Sequence, residues 1–228
     1  MRLFFTLLII AISFAVPAEA LADSSPIGFS AKAGIGSAYY SMGELDDQMG
    51  QLRQFYDGDL TSVDNGFQVY LEGRVWFFDK FAAIIGYEHY WMDTTMDAGD
   101  FNLIYKSPAN VLVLGGAVNI FRFPELLDIN MGGRGSFSKT TFETNELTED
   151  SRLDEYKKNS YGWDIFAEVN ASFLRPVEIG FMLGYRHLKV DGFEDKFGDP
   201  AIFSNSDEDV VMDFSGMYYY LTAGIRIW

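Results

Sequence analysis

Residues 216–228, GMYYYLTAGIRIW, constrain the fold more than any other stretch. Met217, Tyr219, Leu221, Ala223, Ile225 and Ile227 fall on one side of a period of two. Tyr218, Tyr220, Thr222, Gly224 and Arg226 fall on the other. That period is the signature of a β-strand. The first side is wholly apolar. The second mixes rings, small residues and a cation. Such a strand needs an apolar medium on one face and a packed, partly polar interior on the other, as it would meet between lipid and a filled barrel.

The pattern recurs seven more times. Residues 26–42 set Phe29, Ala31, Ala33 and Ile35 against Ser30, Lys32, Gly34 and Gly36. Residues 66–78 set Phe67, Val69, Leu71, Val75 and Phe77 against Gln68, Tyr70, Glu72 and Arg74. In 81–92, Ala83, Ile85, Tyr87 and Trp91 oppose Gly86, Glu88 and Tyr90. In 108–121, Leu112, Leu114, Val118 and Ile120 oppose Val113, Gly115, Ala117 and Asn119. In 127–138, Ile129, Met131 and Phe137 oppose Asp128, Asn130, Arg134 and Ser136. Residues 161–174 alternate Trp163, Ile165, Ala167 and Val169 with Asp164, Phe166, Glu168 and Asn170. Residues 177–188 alternate Ile179, Phe181, Leu183 and Tyr185 with Glu178, Gly180, Met182, Gly184 and Arg186.

The connections alternate in length. Residues 43–65, 93–107, 139–160 and 189–213 are long and polar; 79–80, 122–126 and 175–176 are short. Each segment is long enough to cross a bilayer when tilted. Strands can sit in lipid only when the sheet closes, because an open edge leaves backbone groups unpaired. The fold class implied is all-β: an eight-stranded antiparallel up-and-down transmembrane β-barrel with short periplasmic turns and long extracellular loops. Aromatic residues cluster near both strand ends, with Phe77, Phe81, Phe121, Phe173 and Trp228 low, and Tyr39, Trp91, Tyr161 and Trp163 high. A soluble lipocalin-type barrel would turn the apolar face inward, and these apolar side chains are too many and too large for a small lumen.

Residues 1–22 read as a cleaved secretory signal peptide: Arg2, an apolar stretch from Leu3 to Val16, and the small-x-small site Ala20-Leu21-Ala22. One barrel domain, residues 23–228, follows. The apolar stretch is too short for a spanning helix. The chain has no Cys, which excludes disulfides and thiolate metal sites. Its formal net charge of −16 argues strongly against nucleic acid as a partner.

The signal peptide, the first strand AKAGIGSAYY, the loop alternation and the last strand together resemble the small eight-stranded outer-membrane barrels. These are the transmembrane domain of outer membrane protein A and outer membrane protein X. The resemblance covers residues 23–228. It implies an integral place in the cell outer membrane, contact with outer-membrane lipid and lipopolysaccharide, and insertion by the β-barrel assembly machinery. In that family the last strand is the assembly signal, here Tyr220, Gly224 and Trp228. The family ending puts apolar residues at the last, third-last and fifth-last positions. Here these are Trp228, Arg226 and Gly224, so the apolar set sits one residue off.

Candidate function residues lie on the inward face: Lys32, Glu72, Arg74, Glu88, Arg134, Asp164, Glu168, Glu178, Arg186 and Arg226. Counting up from the periplasmic turns pairs Lys32 with Glu72, Arg74 with Glu88, Arg134 with Glu168, Asp164 with Arg186, and Glu178 with Arg226. A buried charge persists only when paired, so an ion-pair network that plugs the barrel is expected. The fourth segment, with only Val113, Gly115, Ala117 and Asn119, leaves room for its neighbours' long side chains.

No catalytic residue is assigned. The only histidines, His89 and His187, share parity with outward aromatics, as interfacial residues do. Neither begins the His-x-Ser motif of the lipid A deacylase barrels. No cofactor and no metal centre is expected. Acidic residues of the first and last long connections could hold divalent cations, although no EF-hand spacing occurs. Leu45, Met49, Leu52 and Tyr56 recur at helical spacing and predict a short helix at the barrel mouth. The reading is an outer-membrane barrel with a structural or surface-interaction role; the alternatives are a lipid A-modifying enzyme and a narrow small-solute pore.

Overall fold

The computed structural model describes residues 27–43, 47, 59–60, 65–97, 102–123, 126–144, 154–174, 176–202 and 209–227. The expected signal peptide, the expected helix around Leu45, Met49, Leu52 and Tyr56, and Trp228 lie outside the described residues. The strands are β1 Ile27–Tyr39, β2 Asp59–Leu60, β3 Asn65–Phe77, β4 Phe81–Trp91, β5 Asp93–Asp97, β6 Asn102–Lys106, β7 Ala109–Phe123, β8 Leu127–Thr144, β9 Asp154–Leu174, β10 Val177–His187, β11 Lys189–Val190, β12 Met212–Asp213 and β13 Gly216–Ile227.

Eight of them, β1, β3, β4, β7, β8, β9, β10 and β13, make the barrel. Chain neighbours pair antiparallel around the ring, and β13 closes on β1 with Ala33 opposite Ala223. No edge remains in the wall, as backbone hydrogen bonding in lipid requires. The fold class read from the sequence is the observed one.

Parity sorts the side chains. Along β1, β4, β10 and β13, exposed and buried positions alternate. The inward side of a small barrel is crowded, and glycine admits the largest groups. Gly34 lies beneath the Tyr70 ring, where a Cβ would fall 2.2 Å from Cε1. Gly115 lies beneath Arg134, whose Cγ would sit 2.8 Å from a Cβ there. This is the room that the small residues of β7 were expected to leave.

Three of the long connections are more ordered than their polarity suggests. The stretch 139–160 is not simply a loop, because β8 continues to Thr144 and β9 begins at Asp154. Beyond the apolar belt of the wall both strand faces can be polar, so charge no longer signals a loop. In 93–107, β5 and β6 form a hairpin whose far strand pairs with the end of β8. The stretch 189–213 folds back over the mouth. Leu188, Val190, Phe193, Ala201, Val210, Met212 and Phe214 are buried there. They join Met42, Tyr90, Met92, Tyr105 and Phe142 in one apolar layer. Apolar residues interleaved with acids hid this cap from a reading by composition.

The first short turn carries local strain. Phe78 (φ 52°) and Asp79 (φ 56°) both adopt left-handed backbone, and Lys80 N–H closes on Phe77 O at 3.0 Å. Successive positive φ values match the twist of a hairpin but suit Asn or Gly better than Phe. Asp79 is held by Arg122, 3.1 Å away. Replacing Phe78 by Asn should therefore raise the unfolding free energy by about 1 kcal/mol. Urea unfolding in lipid vesicles would read this as a higher midpoint with an unchanged slope; a lower midpoint would show that the Phe78 ring contributes more than the strain costs.

Candidate functional site in the barrel interior

The ten inward charges predicted from parity are all buried. They join one path of ion pairs in which the sign alternates at every step. It starts at the end that carries the short turns, where Arg122 contacts Asp79 and Asp128 (3.1 and 2.8 Å). Asp128 meets Arg226 at 2.6 Å, and Arg226 meets Glu178 at 3.4 Å. Glu178 lies 3.7 Å from Lys32, which also pairs with Glu168. Glu168 pairs with Arg74, and Arg74 with Glu72. Glu72 lies 3.4 Å from Arg134, which also contacts Asp164 (2.9 Å) and Glu88 (2.8 Å). Glu88 holds Arg186 at 2.8 Å.

The partners differ from those expected. Glu178–Arg226 is the one of the five pairings made directly. Lys32 faces Glu72 in register but reaches Glu168 and Asn170 on β9 instead. Arg74 takes Glu72 and Glu168 in place of Glu88. Arg134 takes Asp164, Glu88 and Glu72 in place of Glu168. Asp164 and Arg186 are Cα partners, yet Asp164 turns to Arg134 and Arg186 to Glu88. The physical reason is width. An eight-stranded lumen is only as wide as its own side chains, so Lys32, Arg74 and Arg186 reach across the axis, whereas Arg134 also holds Asp164, its in-register partner on β9, and Arg226 holds Glu178 on neighbouring β10. Asp128 and Arg122 extend the network downward and were missing from the candidate set. Asp128 has inward parity, which was signal enough, whereas Arg122 lies in what reads as a turn.

Neutral polar groups finish the network. Tyr218 OH donates to Asp164 (2.9 Å) and accepts from Arg134 Nη2 (3.2 Å). Tyr90 OH donates to Glu88. Arg186 is sandwiched by the Tyr90 and Tyr218 rings, 4.1 and 4.8 Å from its Cζ. Tyr220 OH donates to Gln68 Oε1 (2.6 Å), and Gln68 Nε2 donates to Tyr40 OH (2.8 Å). These tyrosines stand directly below the apolar cap. At the other end Trp76 donates to Ser30 Oγ (3.0 Å), with Arg226 stacked 4.3 Å over its ring. Of the proposed assembly-signal residues, Tyr220 is thus inward and Gly224 lies against Lys32.

Both histidines sit at the outer rim. His89 Nδ1 lies 3.0 Å from Asn110 Oδ1, and its ring is 4.2 Å from that of Trp91. His187 Nδ1 lies 3.2 Å from Ser215 Oγ. No spacing rule could have found that contact. Ser215 is buried, and its Oγ also accepts the Leu188 N–H at 3.0 Å. The hydroxyl therefore fastens the two ends of the last connection to each other, whereas a nucleophile must meet its substrate. Among the described residues no three acidic or histidine side chains converge as a metal site would require.

No protein-family model matches the chain, and no curated protein matches its sequence. Solved structures do match. A major outer membrane protein from Thermus thermophilus superposes with a TM-score of 0.54 at 11% identity, over 89% of this chain and all of that one. Ail, the attachment invasion locus protein of Yersinia pestis, solved with the heparin analogue sucrose octasulfate, superposes with a TM-score of 0.50 at 12% identity, over 89% of this chain and all of Ail. The fold is that of the small eight-stranded outer-membrane barrels.

Removing one member of the network strands its partners. Glu168→Ala leaves Lys32 and Arg74 without their shared carboxylate and should cost about 3–5 kcal/mol. Asp128→Asn, at the partly exposed lower margin, should cost less, about 1 kcal/mol. Urea midpoints of the refolded variants would test the ranking; equal losses, or none at Glu168, would contradict an interior held by dry ion pairs.

Proposed function

We propose that this chain is an integral outer-membrane protein whose closed barrel supports an extracellular face, in a structural or surface-interaction role. The observation that carries this reading is the filled interior: the ion-pair path runs from the periplasmic turn to the tyrosine layer, and the apolar cap lies above it. The membrane setting is supported by the outward wall. Leu71 and Leu221 stand 60% and 61% exposed, and Ile35, Ile85, Leu114 and Ile227 are similar. An apolar surface continuous around the barrel is unfavourable in water and favourable in lipid. The lipid A-modifying alternative gains nothing from the buried Ser215, and the pore alternative gains nothing from a packed lumen.

Among the described residues the extracellular face carries a rigid tip suited to contact. Asp195 Oδ1 accepts the N–H groups of Phe197 (2.7 Å) and Asp199 (2.9 Å). Phe197 is 78% exposed, with the Lys196 ammonium 4.8 Å from its ring centre. A cleft of about 440 Å³ opens between this tip and the β9 extension, beside Tyr156 and Lys157.

A planar-bilayer recording of the refolded protein should give no steady open level; a sustained, sizeable conductance would overturn the closed interior. Trypsin added to intact cells should cut after Lys196, and cleavage confined to the turn at Lys80 would mean the opposite orientation.

The Asp199 N–H, then the Phe197 N–H, draws the Asp195 carboxyl below the usual carboxylate range. The folded group is the stronger acid, so the tip is favoured above the ordinary Asp value of about 3.9. That preference is lost as pH falls through the lowered value. The amide resonances of Phe197 and Asp199 should therefore hold steady from neutral pH to about 4 and shift only below it; a midpoint nearer neutrality would contradict the arrangement.

A further inference from the structure

At the mouth of the barrel β9 outlasts its neighbour β10. On one side its first residues stay paired with β8, Glu155 opposite Glu143 and Lys157 opposite Thr141. On the other side β10 ends at His187, whose partner is Trp163. Among the described residues only the last connection reaches β9 beyond that point. Lys157 N–H donates to Glu194 O (2.8 Å), and Glu194 N–H donates to Lys157 O (3.3 Å). The backbone groups of a strand point to the same side at every second residue. The Glu155 N–H and C=O therefore point the same way as those of Lys157, about 7 Å further along.

The last connection does not follow β9 to meet them. Asp195 N–H bonds Asp199 O (2.9 Å) and Gly198 N–H bonds Asp195 O (3.2 Å), with Gly198 at φ 91°. The chain doubles back at once, and Glu194 pairs on its far side with Pro200. The cleft of about 440 Å³ is the gap where the two backbones part. Among the described residues no group bonds the Glu155 backbone there. The gap is charged unevenly: Asp154, Glu155, Glu194 and Asp195 line it against Lys157 and Lys196. Lys157 is already paired with Glu155 (2.8 Å), and the Lys196 ammonium rests 4.8 Å from the centre of the Phe197 ring. That ring gives the gap an apolar wall open to solvent.

We propose that this edge of β9 takes up an extended peptide segment rich in arginine or lysine, as one added strand. Its backbone bonds the Glu155 N–H and C=O and so prolongs the short ladder that Glu194 begins. Side chains of such a strand alternate between two faces. Guanidinium groups on one face meet the surplus carboxylates, and one of them replaces Lys196 on the Phe197 ring. An acidic segment is repelled by the same wall. A sugar or a free cation gains nothing from an open strand edge. The inference names the kind of partner for the surface-interaction role proposed above, and it rests on that reading for the side of the membrane the edge faces.

The test uses the full-length refolded protein in phosphatidylcholine nanodiscs and a dye-labelled peptide of alternating Arg and Thr, followed by fluorescence anisotropy. This peptide should bind, and one of alternating Glu and Thr should not. The Arg–Thr peptide methylated at every backbone nitrogen keeps its charge but loses its donors, and its binding should be lost. Glu155→Pro removes the N–H that faces the cleft and spares the ladder to β8. It should weaken binding about fivefold beyond Glu155→Gln, which removes the charge alone; that factor corresponds to one hydrogen bond of about 1 kcal/mol. Heat-modifiable gel migration verifies that each variant is folded. No binding to the wild type, equal binding of the methylated peptide, or equal affinity of Glu155→Pro and Glu155→Gln would each overturn the proposal. Self-association of the protein that excludes the peptide would also overturn it, by putting a second copy in the cleft. Peptide binding by the refolded protein without trypsin cleavage at Lys196 in intact cells would instead keep the edge and overturn its extracellular orientation.

Discussion

An ionised group inside a barrel of this width has no bulk water to solvate it, so it must find an opposite charge within reach. That constraint organises the molecule. The cost of stripping water from a carboxylate or guanidinium is several kcal/mol even after relaxation. It is offset here because each buried ion touches at least one of opposite sign, and Arg134 touches three. Where geometry leaves guanidinium faces over, rings cover them: Arg186 lies between Tyr90 and Tyr218, and Arg226 on Trp76. The network therefore selects one packing of the interior, and the wall around it is held in one register.

Packing then follows two rules in two storeys. Below, where opposed strands supply Lys, Arg, Glu and Asp, the interior is ionic. Above, Met42, Tyr90, Met92, Phe142 and Phe214 give an apolar core that a soluble protein would recognise as its own. The tyrosines join the two. Tyr90 and Tyr218 offer hydroxyls to the charges and Tyr220 offers its own to Gln68, while the Tyr90 ring meets Phe214 of the cap. The apolar surface a soluble fold would bury is instead turned outward. This inversion distinguishes a barrel solvated by lipid from one that holds a ligand.

The barrel itself was legible because its signal is local. Parity along one strand needs no knowledge of any other strand, and it placed all ten candidate charges inward, although Asp128 was left out of that set. Pairing was not legible for the opposite reason. Lys32 is beside Glu72 in register, but its ammonium ends at Glu168, across the lumen and 136 residues away. Which groups meet there depends on strand tilt and side-chain reach, and neither is written in a strand's own alternation. The long connections misled in a third way. Polarity beyond the apolar belt is compatible with strand, loop or cap, and Leu188, Val190 and Phe193 are too sparse among acids to stand out. The contact of Ser215 with His187 joins residues 28 apart with no motif between them.

A closed interior moves the question of function to the outside of the molecule. Outer surfaces of a barrel are usually judged by how apolar they are, which treats the wall as a passive fit to lipid. The distribution of charge argues against passivity here. Arginine has been placed almost wholly inward among the described strands, where its five donors serve the network. Lys32 joins it there, whereas Lys139, Lys157, Lys189 and Lys196 are exposed, near the end of the belt on β8 and β9 and on the last connection. A long ammonium side chain at that height can reach headgroups while its methylenes stay on the apolar wall. Acidic residues occupy the levels above. Charge is thus sorted by face and by height: the guanidinium groups serve the dry interior, and the exposed ammonium groups and carboxylates stand where water can solvate them.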